Sequence, residues 1–443
     1  MAAAASSLLA EVESAVGSSR SREAVDAGAK AFAAKVPPIE ILRAAARGSA
    51  SHYDGASGVG PRGLAVLASA ANLFPSMQPR FHALPTLQAI LFVASEKKAS
   101  AEVKRPLVVS GEISHLGRSF LFAVRAGDLA EAESIFLGMV DERSERKMAG
   151  DMLFRAAVED MGEAGRKFFI AVKSWQLARS FGFKDARTIL RPAVQYLVKG
   201  PRDRAPYEAI MTLLGKEWVD LESLASGGRP LDEVGRTNVH AIATADGPAA
   251  CTAATLAILR DGYAASSVAE GLAVEAARRV VAANGYDVPT ARGLMFCHAA
   301  RFVIGFSRTP ERIYALFQAA LRVRSPEPSA KIANIAEAPG EGEELCALAG
   351  DFDARKPSEA SARVRAYVRR GYSASRLLDV VADYACRDSA VANDGINLLL
   401  ADACGAEFLS SKAPEVPMAL AKMIAASPKD QSSYATWAPS LAG

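Results

Sequence analysis

Arg260-Asp261-Gly262-Tyr263-Ala264-Ala265-Ser266 and Arg369-Arg370-Gly371-Tyr372-Ser373-Ala374-Ser375 share an R-x-G-Y-x-A-S core, and an Ala-rich run of helical character lies on either side of each copy. Self-similarity of this kind marks stacked supersecondary units. In each copy Gly-Tyr is expected to close one helix, because Gly tolerates the left-handed conformation at a helix end. The Ser that ends the motif is expected to open the next helix by capping its free amides.

Extending the two copies outward gives units of three helices: one ending at the turn, a second after the Ser and a third after another polar break. The third helix runs from about Thr290 to Phe306 in one unit and from about Ala390 to Ala403 in the next. An earlier copy is legible at Arg125-Ala126-Gly127-Asp128-Leu129, and a degenerate first one begins at Val36-Pro37-Pro38-Ile39 and includes Arg62 to Asn72. The approximate units are 22–100, 118–183, 250–308 and 360–408, within one all-helical domain over 1–443; looser linkers are expected near 199–235 and 324–343. Apolar positions recur at three and four rather than at two, and Val and Ile occur singly among Ala, Leu, Arg and Glu. The expected fold class is all-α, with stacked three-helix units forming a curved array or bundle around a central cavity, the natural place for a ligand.

Of the 443 residues, 50% are hydrophobic and 23% charged, enough to bury large cores. Fifty-two basic residues face 49 acidic ones for a net charge of +3, with no Lys/Arg stripe, so nucleic acid is not an expected partner. No apolar run spans a bilayer, and Met1 to Ala10 lacks a basic leader before Glu11 and Glu13, so neither membrane nor secretion is expected. Cys251, Cys297, Cys346, Cys386 and Cys404 form no C-x-x-C pair and read as buried thiols of a reducing compartment, consistent with a cytoplasmic protein.

Histidine chemistry must draw on His52, His82, His115, His240 and His298, none of which forms a local H-E-x-x-H or H-x-H pair. A lone histidine in a helical protein is more often a hydrogen-bonded core or boundary residue than a ligand. His82, in Pro79-Arg80-Phe81-His82-Ala83-Leu84, opens an uncharged apolar helix and needs a partner there. His298, in Phe296-Cys297-His298-Ala299, stands mid-helix among apolar side chains, and Asp394 lies on the matching segment of the next unit. An imidazole and a carboxylate facing one cavity suit iron, manganese or zinc. His52 sits on a polar turn, and His115 and His240 lie near helix starts.

Arginine is the second unusual feature. Arg166 begins the apolar run Phe168-Phe169-Ile170-Ala171-Val172, and Arg292 and Arg301 flank His298. Inward guanidinium groups must pair or bind an anion. Asp388 and Asp394 are candidate partners, and a carboxylate or phosphate ligand is the alternative. Gly58-Val59-Gly60-Pro61-Arg62-Gly63 is glycine-rich only in composition, and no G-x-S-x-G elbow is present.

Taken in order, Pro79 to Leu84, Gly165 to Trp175, Leu294 to Leu321 and Arg369 to Asp402 resemble the all-helical questin-oxidase-like family and its bacterial relatives that carry a Rieske domain after a similar helical body. The resemblance implies oxidation of a bulky aromatic, polyketide-type molecule at a non-haem iron held by histidines and a carboxylated lysine, with a separate electron donor as a further partner. His82 falls on a family histidine and His298 on another, whereas Arg166 replaces a third. Under an alternative alignment Arg292 and Arg301 also replace histidines, and the histidine and lysine of the last unit are lost.

Two readings follow. In one, Asp394 takes the place of the carbamate oxygen and joins His82, His298 and His52 around iron. In the other, Arg166 and an inward aspartate replace the metal by a charge pair, and the protein is a metal-free binder of a small aromatic or anionic molecule, with Arg166, Arg292 and Arg301 as candidate anion-binding groups, or an interaction scaffold.

Overall fold

A computed structural model describes residues 2–99, 108–141, 146–325 and 332–441. Its first helices are α1 (Ala2–Gly17), α2 (Ser21–Ala33), α3 (Pro38–Ser51), α4 (Arg62–Leu73) and α5 (Ala83–Ser95). They are followed by α6 (Ile113–Ala126), α7 (Leu129–Asp141), α8 (Arg146–Val158), α9 (Gly162–Ser180) and α10 (Ala186–Lys199). The middle of the chain forms α11 (Ala205–Lys216), α12 (Leu221–Ala225), α13 (Glu233–Thr244), α14 (Gly247–Arg260), α15 (Ala265–Ala282), α16 (Val288–Phe306) and α17 (Ile313–Val323). The last helices are α18 (Glu341–Asp353), α19 (Pro357–Arg369), α20 (Ala374–Ala385), α21 (Ile396–Ser411), α22 (Glu415–Ala426) and α23 (Ser432–Leu441). The protein is all-α: among the described residues there is no strand, only one isolated bridge between Arg229 and Tyr263. No described helix is long and apolar enough to cross a membrane.

The two Gly-Tyr turns are built alike. Gly262 and Gly371 adopt φ of 82° and 70°. Their amides donate to Leu259 and Val368, and the amides of Tyr263 and Tyr372 reach back to Ile258 and Tyr367, the pattern of a left-handed helix stop. The Ser that ends each motif does not cap. Ser266 and Ser375 lie inside the first turns of α15 and α20, while the extended residue ahead of each helix is Ala264 in one copy and Ser373 in the other. Only Ser373 has a hydroxyl for the free amides, and it accepts from Arg376. Two further expectations change. The stretch near 199–235 carries α11 and α12, with Tyr207, Ile210 and Leu214 buried. Cys346 is exposed, whereas the other four cysteines are buried thiols.

The helices that bear on the site are α4, α9, α16 and α21, one from each approximate unit. Each packs on its neighbours in a ring: α4 on α9, α9 on α16, α16 on α21 and α21 on α4. Apolar contact supplies much of this. The rings of Phe168 (α9) and Phe296 (α16) lie 5.0 Å apart, and Trp175 (α9) meets Phe306 (α16) edge-on at 5.8 Å.

Polar contacts between the same helices are fewer and more specific. Lys173 of α9, fully buried, donates to Asp402 of α21. Asn72, at the end of α4, donates to the same carboxylate at 3.1 Å and to Gln176 of α9 at 3.0 Å. One buried carboxylate therefore ties three helices in a fixed register. A buried ion pair is a poor source of net stability, but loss of one partner strands a charge away from water.

Lys173→Met is accordingly expected to destabilise the fold by about 3–5 kcal/mol. Combining it with Asp402→Leu should recover most of that loss, because no unpaired charge remains. Urea denaturation of the two single variants and the double variant measures the difference, and a double variant no more stable than either single would show that the pair acts otherwise.

Candidate functional site

Residues at or near the starts of α4, α9, α16 and α21 line a partly open chamber of about 50 Å³. Its walls are apolar over much of their area, with Phe169 and Ile170 from α9, Met295 and Phe296 from α16, and Ile396 and Leu399 from α21. Into it project three guanidinium groups, Arg62, Arg166 and Arg292, and two carboxylates, Glu163 and Asp394. Phe169 links the chamber to the helix ties, since the Lys173 ammonium lies 5.7 Å from the centre of its ring.

Local backbone geometry places the two acids. Asp394 and Gly395 are both left-handed, with φ of 56° and 71°, and turn the chain into α21. A side chain at Gly395 would meet Val66 at 2.6 Å, so the close approach of α4 and α21 requires glycine there, and Asp is among the residues that tolerate the neighbouring position. At the start of α9, Glu163, Ala164 and Gly165 are successively left-handed at φ 50°, 63° and 82°. Such geometry costs about 1–2 kcal/mol per non-glycine residue. It is anchored by the buried Asp160 carboxylate, which accepts from the Gly162 amide at 2.9 Å, the Asp203 amide at 2.8 Å and Lys167 Nζ at 2.7 Å.

The charges are arranged as pairs. Asp394 accepts from Arg62 on one oxygen and lies 3.3 Å from Arg292 on the other. Arg166 pairs with Glu163 at 3.0 Å, and Glu163 also accepts the Tyr196 hydroxyl. Burial, and then the like charge of Arg166, pull Arg292 below the ordinary guanidinium range, with Asp394 acting in the opposite direction. Three guanidiniums against two carboxylates leave the chamber with an excess of positive charge.

The four residues expected to hold a metal are not brought together. His82 stacks on Phe74, ring centres 4.5 Å apart, and its Nε2 donates to the carbonyls of Phe74 and Met77, both at 3.1 Å. It secures the turn into α5, and that nitrogen is committed. The Nδ1 of His52 contacts the carbonyl of Gly48, one turn back, at 3.0 Å. His298 is buried with its Nδ1 2.9 Å from Glu407, and its Nε2 has no hydrogen-bond partner. Asp394 is held between two arginines. Among the described residues no group of three or more His, Cys, Asp and Glu side chains is gathered so as to hold a metal ion, and the residues present do not fit the iron site that the family resemblance implies.

Of the expected arginines, Arg166 and Arg292 line the chamber and Arg301 does not. Arg301 pairs with Glu407, lies 3.5 Å from Glu270 and donates to Ser410 at 2.7 Å. Asp388 is not their partner either, being engaged by Arg355 at 2.9 Å. Arg62, Glu163 and Glu407 escaped sequence reading. Arg62 sat beside a glycine-rich stretch with no chemistry of its own, and nothing local marks the two glutamates. No protein-family model, curated protein or solved structure matches the chain.

His298, Glu407 and Arg301 fasten α16 to α21. Burial works to raise Glu407, but His298 and Arg301 outweigh it and hold the carboxyl below its ordinary range. A depressed carboxyl stabilises the fold above its unfolded value, about pH 4.3, and the contribution is lost as pH falls through the lower folded value. Glu407→Gln should therefore unfold in less urea than the parent at pH 7, with the gap narrowing below about pH 4. A gap that widens on acidification would contradict this assignment.

Proposed function

We propose that the protein binds a small organic anion without a metal, seating its carboxylate among Arg62, Arg166 and Arg292. The observation that supports this best is the state of Asp394: two guanidiniums claim it, and a third lies in the same chamber. Guanidiniums in a partly dehydrated site repel a divalent cation and attract a carboxylate, which they can grip with paired hydrogen bonds. An incoming carboxylate exchanges with Asp394 for Arg292, the weaker of its two contacts.

The chamber's size supports a small ligand. Pockets for drug-sized molecules run to roughly 300–1,000 Å³, so about 50 Å³ admits a small acid or one end of a larger one and not a bulky aromatic polyketide. The oxidoreductase reading, with its non-haem iron and electron donor, lacks a gathered ligand set among the described residues. The apolar walls provided by Phe169, Phe296 and Leu399 favour a ligand with an apolar body.

Calorimetric titration with benzoate and with acetate tests the proposal. Saturable binding is expected, tighter for benzoate, and weakened at least about tenfold in Arg292→Gln, a loss of roughly 1.4 kcal/mol. Binding of neither acid, or benzoate binding unchanged in Arg292→Gln and Arg166→Gln, would overturn it.

A further inference from the structure

Beyond the left-handed turn at Gly162–Gly165 lies a second, much larger cavity of about 930 Å³, between that turn, α11, α14 and α17. Glu163 and Ala164 line both cavities, so the turn is the partition between them. The volume falls in the range that encloses a whole metabolite-sized ligand, roughly 300–1,000 Å³. One wall is apolar, with Pro206 and Leu213 from α11, Pro248 from α14 and Leu321 from α17.

Two arginines at the end of α17 distinguish this cleft. Arg322 and Arg324 both line it, and each has its Nε buried without a hydrogen-bond partner. The other charged groups on the cleft wall make hydrogen bonds, and of these only Glu163 is paired with an opposite charge among the described residues. Arg202 donates to the carbonyls of Arg125, Val124 and Val198 at 3.0, 2.9 and 3.3 Å. Asp203 accepts the Ala205 amide at 3.3 Å, and Glu163 holds Arg166 at 3.0 Å. Burial, with Cys297 acting in the opposite direction and the like charge of Arg292 adding to it, also pulls Arg322 below the ordinary guanidinium range. A partly dehydrated guanidinium with no counter-charge among the described residues can take an anion as its partner.

We propose that this cleft is a second anion site, independent of the small chamber, in which Arg322 and Arg324 hold the dianionic head of an organic ligand, a phosphate monoester or a dicarboxylate, whose apolar body lies against the proline-rich wall. Among the described residues Arg202, Arg322 and Arg324 face the single unpaired carboxylate of Asp203, an excess of two positive charges that matches two negative ones. Guanidinium suits either head because its planar fork places two parallel N–H groups on two oxygens.

Titration of the full chain with inorganic phosphate and, separately, succinate tests the assignment and separates the two heads. Saturable binding of at least one probe is expected, weakened tenfold or more in both Arg322→Gln and Arg324→Gln. A urea midpoint for each glutamine variant matching that of the parent serves as the folding control. Tighter phosphate than succinate assigns a phosphate ester, and the reverse order a dicarboxylate. The proposal is overturned if neither probe binds saturably by about 10 mM, or if binding survives either glutamine substitution.

Discussion

A single buried carboxylate sets the geometry on which the site depends. Asp402 receives the ammonium of Lys173 and the amide of Asn72 in the interior of the protein, and these three residues belong to three different helices. Apolar packing among α4, α9 and α21 would tolerate sliding or rotation, since Leu, Ala and Val surfaces are interchangeable over short distances. A dehydrated ion pair does not tolerate it, because a displaced partner leaves a charge exposed to a medium that cannot solvate it. Specificity of register, more than net stability, is what the pair contributes.

From that register the rest of the chamber follows. With α9 and α21 locked, the left-handed turns that precede them bring Glu163 and Asp394 to the same end of the helix ring. There they meet arginines from α4, α9 and α16. The fourth contact of the ring, α16 on α21, is fastened separately by His298 and Arg301 on Glu407. The histidine that seemed suited to a metal is thus spent on holding helices. Its unpartnered Nε2 belongs to a buried residue that lines neither the chamber nor the cleft.

Much of the fold was legible in the sequence because its signals are local. The period of three and four, the Gly-Tyr stops and the absence of alternating patterns all act within a turn or two of chain, and they yield an all-α protein whose Gly262 and Gly371 behave as expected. The Ser caps failed at Ser266 and Ser375 because a cap is defined by the one extended residue before a helix, and a shift of two positions moves a serine from cap to first turn. The site was legible only in part. Arg166 and Arg292 stood out as charges in apolar runs and Asp394 as a candidate partner, but nothing local marked Glu163 as the partner of Arg166, and Arg62 and Asp394 are far apart in sequence and meet only once α4 and α21 are packed. The contacts of His82 and His52 were hidden for the complementary reason, since each meets a backbone carbonyl within eight residues, a bond that leaves no pattern in side-chain identity.

On the proposed function, guanidinium groups and not a metal ion occupy the space where the four helices meet. Iron content after equilibration with ferrous iron under anaerobic conditions, with unbound metal removed, tests this most directly. An arginine-filled chamber with scattered histidines predicts iron far below one ion per chain. One tightly held iron per chain, lost in both His82→Ala and His298→Ala, would contradict it.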